Sequence, residues 1–236
     1  MADWQTAERK LLRDKTLRPL IKRVGPCMLE PVLREPYEAL IRAISHQQVH
    51  ARAAEAILGR FIALYPHESF PPPRFVLDLP AEALRGCGFS ASKTAAIRDI
   101  AEKTVGGLVP SLDEAAAIDD ATLIQRLVTI RGVGQWTVEM VLMFTLGRTD
   151  ILPVDDFGVR DGWRVVTGAE EPLKPKELAA IGEAWKPWRS VAAWYLWRAS
   201  EEGKKARKAA ETGARPDVPL PRQPARRRAT SAKAAK

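Results

Sequence analysis

Along most of the chain, apolar residues recur at spacings of three and four, the period of a helix with one buried face. In "YEALIRAISHQQVHARAAEAILGRFIALYP" they fall at Leu40, Ile41, Ile44, Ala54, Ile57, Leu58 and Phe61. That spacing predicts one long amphipathic helix or two in succession, ended by Pro66. The period returns in "SASKTAAIRDIAEKTV", after a turn holding Gly86 and Gly88. "SLDEAAAI" opens with Ser111 and Glu114 in the S-x-x-E spacing of a capping box, where each side chain closes on the other's backbone N–H. "DDATLIQRLVTI", "QWTVEMVLMFTL", "DFGVRDGWRVV", "KPKELAAIGEAW" and "PWRSVAAWYLWRASEEG" continue the helical series. Strand-like alternation is hard to find, so the pattern predicts an all-α chain. Pro71, Pro72 and Pro73 interrupt it as a rigid, extended connection, either a seam between helical sub-assemblies or a loop. No fixed-period repeat is visible, which disfavours a solenoid.

With 236 residues, 46% of them hydrophobic, the chain can bury a sizeable core. Its two cysteines, Cys27 and Cys87, form no C-x-x-C, so a zinc or iron–sulfur site, which needs about four ligands, has no supply. Two isolated thiols suit a reducing compartment. The opening "MADWQTAERKLLRDK" carries charges where a signal peptide is apolar, and no run approaches the roughly 18 apolar residues of a membrane span. These features predict a soluble cytoplasmic protein with no membrane partner. The formal charge is +8, yet eleven Lys or Arg against Glu211 and Asp217 put +9 of it after residue 203 and leave residues 1–203 near −1. A domain over 1–203 and a basic, disordered tail over 204–236 follow, the tail being either a solubilising terminus or a sequence-blind arm for phosphates.

The stretch least like core sequence is "TIRGVGQWTVEMVLMF", followed by "ILPVDDFGVRDG". A helix ending at about Ile130, a turn with Gly132 and Gly134 around Val133, and a helix starting near Gln135 make a helix–hairpin–helix over about 124–146. Glycine supplies the positive φ of such a turn, and the unpaired N–H groups of the second helix favour an anion such as a DNA phosphate. A plain corner between core helices fits the same residues. "GRTDILPV", when extended, runs roughly 25 Å back along the second helix and can return Asp155 and Asp156 toward Trp136. One aspartate would then cap the next helix while the other faces a ligand; capping alone is the simpler alternative.

These two stretches resemble the helix–hairpin–helix DNA glycosylase superfamily, in particular its alkylation-repair branch typified by DNA-3-methyladenine glycosylase II. "EPYEALIRAISHQQVHARAA" is similar to that branch's N-terminal helix, "GFSASKTAAIRDIA" to its middle segment and "WKPWRSVAAWYLWR" to its closing helix. The match runs in order from about Leu17 to Ser200. It implies two helical subdomains with a cleft between them, and a monomer acting on double-stranded DNA that contains alkylated bases. The implied activity is extrusion of the damaged base and hydrolysis of its N-glycosidic bond in base excision repair, leaving an abasic site. The branch's extra N-terminal α/β domain has no counterpart here, since fewer than about forty residues precede the first matching long helix; the chain resembles the compact form.

The resemblance also implies roles. Its D-x-G-V-R pattern places the catalytic carboxylate on Asp156, with Asp155 the alternative if the register slips by one residue. Trp136 and Trp197 match positions lining the base pocket, where each ring face contributes about 0.5–2 kcal/mol toward a cation. Gly132, Val133 and Gly134 would hold DNA, and the carbonyls of Ile130, Gly132 and Gly134 a monovalent cation; no other cofactor or metal is implied. Gln48 and His50 are the candidates to wedge into the gap left by an extruded base, although an exposed Gln or His needs no function. Relatives that cut the strand place a lysine two residues after the second glycine; Trp136 stands there, which implies a monofunctional enzyme. Lys93 is a poor substitute, its ordinary explanation being a solvated charge on a helix. His46 and His67 have no metal-ligand spacing. Two rivals remain at this point: a non-catalytic DNA-binding module, and a glycosylase for deaminated or oxidised bases.

Overall fold

The computed structural model describes residues 4–212. Among them every regular element is helical. The first half holds α1 (Trp4–Leu11), α2 (Leu17–Val24), α3 (Pro36–His46), α4 (Ala51–Ala63), α5 (Pro73–Asp78), α6 (Ala81–Gly86) and α7 (Ala91–Val105). The second holds α8 (Leu112–Ala117), α9 (Asp120–Leu127), α10 (Gln135–Phe144), α11 (Phe157–Thr167), α12 (Pro175–Gly182) and α13 (Arg189–Thr212), with a 3-10 turn at Glu183–Trp185.

The helices sort into two lobes. In one, α3 and α7 pack together and carry α4, α5, α6 and α10, with α9 against α10. In the other, α11 lies along α13, and α13 also covers α1 and α2, so the first and last described helices share a core. The connection from α10 to α11 passes between the lobes, and the candidate residues lie where it does.

Local chemistry explains most element ends. Ser111 and Glu114 form the expected capping box, with Glu114 N donating to Ser111 Oγ and Ser111 N to Glu114 Oε2. Ser90 and Asp119 cap α7 and α9 through the backbone N–H groups of Lys93 and Thr122. Of one long helix or two in succession, the chain forms two, α3 and α4. They are broken at Gln47–His50, where Gln48 has φ +56°, the one non-glycine residue with positive φ among those described. The prolines are not a seam: Pro72 and Pro73 start α5 inside the first lobe, where α5 packs on α7 and Pro71 O accepts the Tyr37 hydroxyl. α9 ends at Leu127 rather than about Ile130, closed by Val128 N on Ile124 O. At the other terminus α13 passes the expected boundary at 203 and continues to Thr212. Arg207, from the segment read as tail, reaches Asp161 at 3.6 Å. The remainder of that segment lies outside the described residues.

Asp161 is 1% exposed and accepts Ser200 Oγ at 2.7 Å and Arg164 Nε at 2.8 Å. Burial pushes its carboxyl up, but these hydrogen bonds and the arginine charges outweigh it and hold the group below the usual carboxylate range. Next to Asp161 on α11, Gly162 lets the backbones of α11 and α13 touch: a Cβ there would overlap the backbone carbonyl of Leu196. Gly162→Ala is therefore expected to destabilise the protein by at least ~2 kcal/mol, since a backbone and not a flexible side chain must yield. Chemical denaturation reads this directly, and an unchanged midpoint would mean that the lobe is looser than described.

Candidate active site

Asp156 is positioned from both sides. The run before it is pinned to the start of α13: Ser190 Oγ donates to Arg148 O at 2.7 Å and accepts Ile151 N at 3.0 Å. Beside it, Arg189 grips Asp150 through Nε–Oδ1 at 2.7 Å and Nη2–Oδ2 at 3.0 Å. The turn after Ile151 closes with Asp156 N on Pro153 O. Asp156 then becomes the N-cap of α11, its Oδ1 accepting Val159 N at 2.9 Å.

Two tryptophans complete the arrangement. Trp197 Nε1, on α13, donates to Asp156 Oδ1 at 2.9 Å, and Trp136 Nε1, at the first turn of α10, donates to Oδ2 at 2.7 Å. Oδ1 thus has both lone pairs engaged and Oδ2 has one free. The carboxylate is a fixed negative charge with a single open acceptor site. The expected division, in which one aspartate caps and its neighbour faces the ligand, is not seen: Asp156 both caps α11 and keeps the open acceptor site, and Asp155 is exposed. Gly158 makes the geometry possible, because a Cβ there would lie 2.9 Å from Trp197 Cδ1 and 3.0 Å from Asp156 Oδ1.

Beside this carboxylate is a cleft of about 320 Å³ between α3 and α10, lined by Trp136, Met140 and Phe144 on one wall and Arg42 and His46 on the other. Phe144 also stacks on Trp197, with ring centroids 5.8 Å apart and planes at 30°. From the sequence, Phe144 and Met140 had no role, and His46 was considered only as a metal ligand. The first two carried a signal, because Trp136, Met140 and Phe144 stand four residues apart on one helical stripe. His46 lacked one; its Nε2 meets Glu55 at 3.0 Å and its Nδ1 meets Arg42 O at 2.9 Å. Glu139, one turn beyond Trp136, is buried and was also missed. Burial pushes its carboxyl up and the charges of Asp155 and Asp156 add to this, against a hydrogen bond from Gln135.

In the hairpin the two glycines have different reasons. Gly132 has φ +77°, and a Cβ there would lie 3.1 Å from the Ala96 Cβ, so both conformation and space demand glycine. Gly134 is extended with open space around it, and as N-cap of α10 it offers no side chain. The first N–H groups of α10 are left facing solvent at exposed Gln135 and Trp136. Between the glycines Val133 is buried, its side chain 4% exposed, and its N–H donates to Ile130 O. Of the carbonyls that the resemblance implies for a monovalent cation, Gly134 O already accepts Thr137 N and Val138 N, while Ile130 O accepts Val133 N and Gly132 O accepts Gln47 Nε2 at 3.3 Å, each keeping one lone pair.

Gln48 and His50 are both exposed at the break between α3 and α4. Lys93 is not a solvated charge. Its ammonium donates to Ser45 O at 2.9 Å and Gln47 O at 2.7 Å, and burial holds it below the usual lysine range. The thiols are buried as well, which pushes Cys27 up to about 11 and Cys87 above its usual value.

Residues 41–189 match the model of the HhH-GPD superfamily of base excision DNA repair proteins. A relative from Schizosaccharomyces pombe, DNA-3-methyladenine glycosylase 1, is 41% identical over 192 residues, covering 80% of this chain and 83% of its own length. The chain belongs to this superfamily. A solved structure of the S. pombe 3-methyladenine DNA glycosylase with abasic DNA superposes with a TM-score of 0.77 at 40% identity, over 83% of this chain and 97% of that one. A DNA-3-methyladenine glycosidase from Bacillus halodurans gives 0.76 at 32% identity, over 86% and 92%.

Within this HhH-GPD chain, Gly158→Ala is expected to push the Trp197 ring off Asp156 Oδ1 while α11 still forms. The Nε1–H resonance of Trp197 should move toward that of an unbonded indole. An unmoved resonance would show that α11 shifts instead and that Gly158 is not what admits the ring.

Proposed function

We propose that this HhH-GPD protein is a monofunctional DNA glycosylase that extrudes alkylated, cationic bases such as 3-methyladenine from double-stranded DNA and hydrolyses their N-glycosidic bonds. The observation that carries the reading is a carboxylate fixed by two indole N–H groups beside a cleft walled with aromatic rings. The names of its S. pombe and B. halodurans relatives support it. The reading includes action as a monomer in the cytoplasm, on DNA as the one macromolecular partner.

A base methylated at a ring nitrogen is positively charged and leaves with the bonding electron pair as a neutral molecule. Positive charge then builds on the sugar at C1′. Asp156, its charge held in place before reaction begins, stabilises that cation without reorganising, an effect commonly worth a few kcal/mol in the transition state. Water adds to C1′ and loses its proton, and the free acceptor site on Oδ2 is placed to orient that water. The ring faces of Trp136, which is 40% exposed, and Phe144 suit a flat cation in the cleft. Neither expected position supplies an amine for a Schiff base: Trp136 stands at the position of a lyase's lysine, and the Lys93 ammonium donates to two carbonyls. The exposed first turn of α10 offers N–H donors to a phosphate, and Gln48 and His50, at the break between α3 and α4, would fill the gap that an extruded base leaves.

Asp156→Asn should lower single-turnover release of 7-methylguanine from methylated duplex DNA by about 100-fold or more, while Asp155→Asn stays within about threefold of wild type. Full activity in Asp156→Asn would refute the assignment. On the same assay 3-methyladenine and 7-methylguanine should be released faster than hypoxanthine or uracil. The opposite ranking points to deaminated bases, and no release of any base to a non-catalytic DNA-binding module.

A further inference from the structure

Lys93 stands in an unusual place for a cation. Ser90 caps α7, so Lys93 lies in that helix's first turn, where the positive end of the helix dipole disfavours an ammonium. It is drawn instead to a different helix end. Its Nζ reaches Ser45 O in the last turn of α3 and Gln47 O on the C-cap residue that follows, at 2.9 and 2.7 Å. Those carbonyls have no helical N–H to accept and lie at the negative end of α3, so a cation satisfies both needs. The next residue, Gln48, is the one with positive φ.

The same face of α7 supports the hairpin. Ala96, three residues on, packs under Gly132, with 3.1 Å between its Cβ and the position a Cβ on Gly132 would take. Asp99, three further on, accepts Arg131 N through Oδ2 at 2.7 Å. A cross-tie joins the two supported segments: Gln47 Nε2 donates to Gly132 O at 3.3 Å and Thr137 Oγ1 at 3.2 Å. The stripe Lys93, Ala96 and Asp99 therefore sets the break between α3 and α4 in register with the hairpin.

We propose that Lys93 is a positioning residue for base extrusion: seated on the carbonyls of Ser45 and Gln47, it holds Gln48 in the left-handed backbone conformation from which it fills the gap in the base stack. Lys93 touches neither substrate nor reacting atoms and acts through Gln48. The proposal rests on the glycosylase reading above. Its effect belongs to the step in which a paired base is displaced, so it depends on how firmly the lesion is paired. A mispaired base is already easier to unstack and needs less help.

The test is the single-turnover rate of 7-methylguanine release from duplexes in which the lesion lies opposite cytosine or opposite adenine, for wild type, Lys93→Met, Gln48→Ala and the double variant. In Lys93→Met the ratio of paired to mispaired rates should fall about tenfold, the order expected for losing one charge-assisted hydrogen bond. Adding Lys93→Met to Gln48→Ala should lower the ratio no further. A ratio unchanged in Lys93→Met, whether both rates fall together or neither does, overturns the proposal, as does a second full fall in the double variant. Should Lys93→Met not fold, Lys93→Gln, which keeps one donor, is measured in the same way. A wild-type protein that releases no base from either duplex fails the glycosylase reading itself, a result distinct from these.

Discussion

The arrangement depends on one carboxylate shared between two lobes. Asp156 takes a hydrogen bond from Trp136 in the first lobe, and from Trp197 and the backbone of α11 in the second. An ionised acceptor makes each of these bonds stronger than a neutral one, about 1.5–3 kcal/mol against about 1. The interaction therefore ties the lobes where the chain crosses between them. It also fixes the charge that the proposed chemistry uses. Gly158 and Gly162 are steric conditions for it, one admitting the Trp197 ring and the other letting α11 approach α13 closely enough to present it.

The second organising element is α7, whose exposed end and buried face serve different tasks. Its buried residues Ile97, Ile100 and Ala101 anchor the first lobe. Its stripe at Lys93, Ala96 and Asp99 supports the two segments that face DNA in the proposed function. A hairpin that grips phosphate and a rim residue that enters the base stack must keep a fixed separation to act on one nucleotide. Mounting both on one rigid helix provides that separation.

Much of this was legible in the sequence for physical reasons. Helical periodicity, the Ser111–Glu114 box and the glycine pair report local rules, and local rules survive folding. The approximate place of Asp156 followed from chain geometry, since eight extended residues can span the helix they run beside. The joint role of Asp156 was not legible: a cap is a local property, but the two indole N–H groups come from 20 residues before and 41 after. Lys93 was misjudged for the same reason, because a lysine on a helix is ordinarily solvated and its carbonyl partners lie 46 and 48 residues away. The continuation of α13 to Thr212 was not legible either, because charge composition does not report a helix on which Arg207 pairs with the buried Asp161.

The proposed function turns on Trp136 and Trp197 serving Asp156 through their N–H groups, with Trp136 also offering a ring face to the cleft. A kinetic cycle measures this most directly: Trp136→Phe and Trp197→Phe, each in the wild-type and the Asp156→Asn background, read as single-turnover 7-methylguanine release. Phenylalanine keeps a ring and removes the donor. Each substitution is expected to slow the wild type by about tenfold, the order of one charge-assisted hydrogen bond, and to change the Asp156→Asn protein little. Equal losses in both backgrounds would contradict the account, since the tryptophans would then act on the base alone and the carboxylate would stand without them.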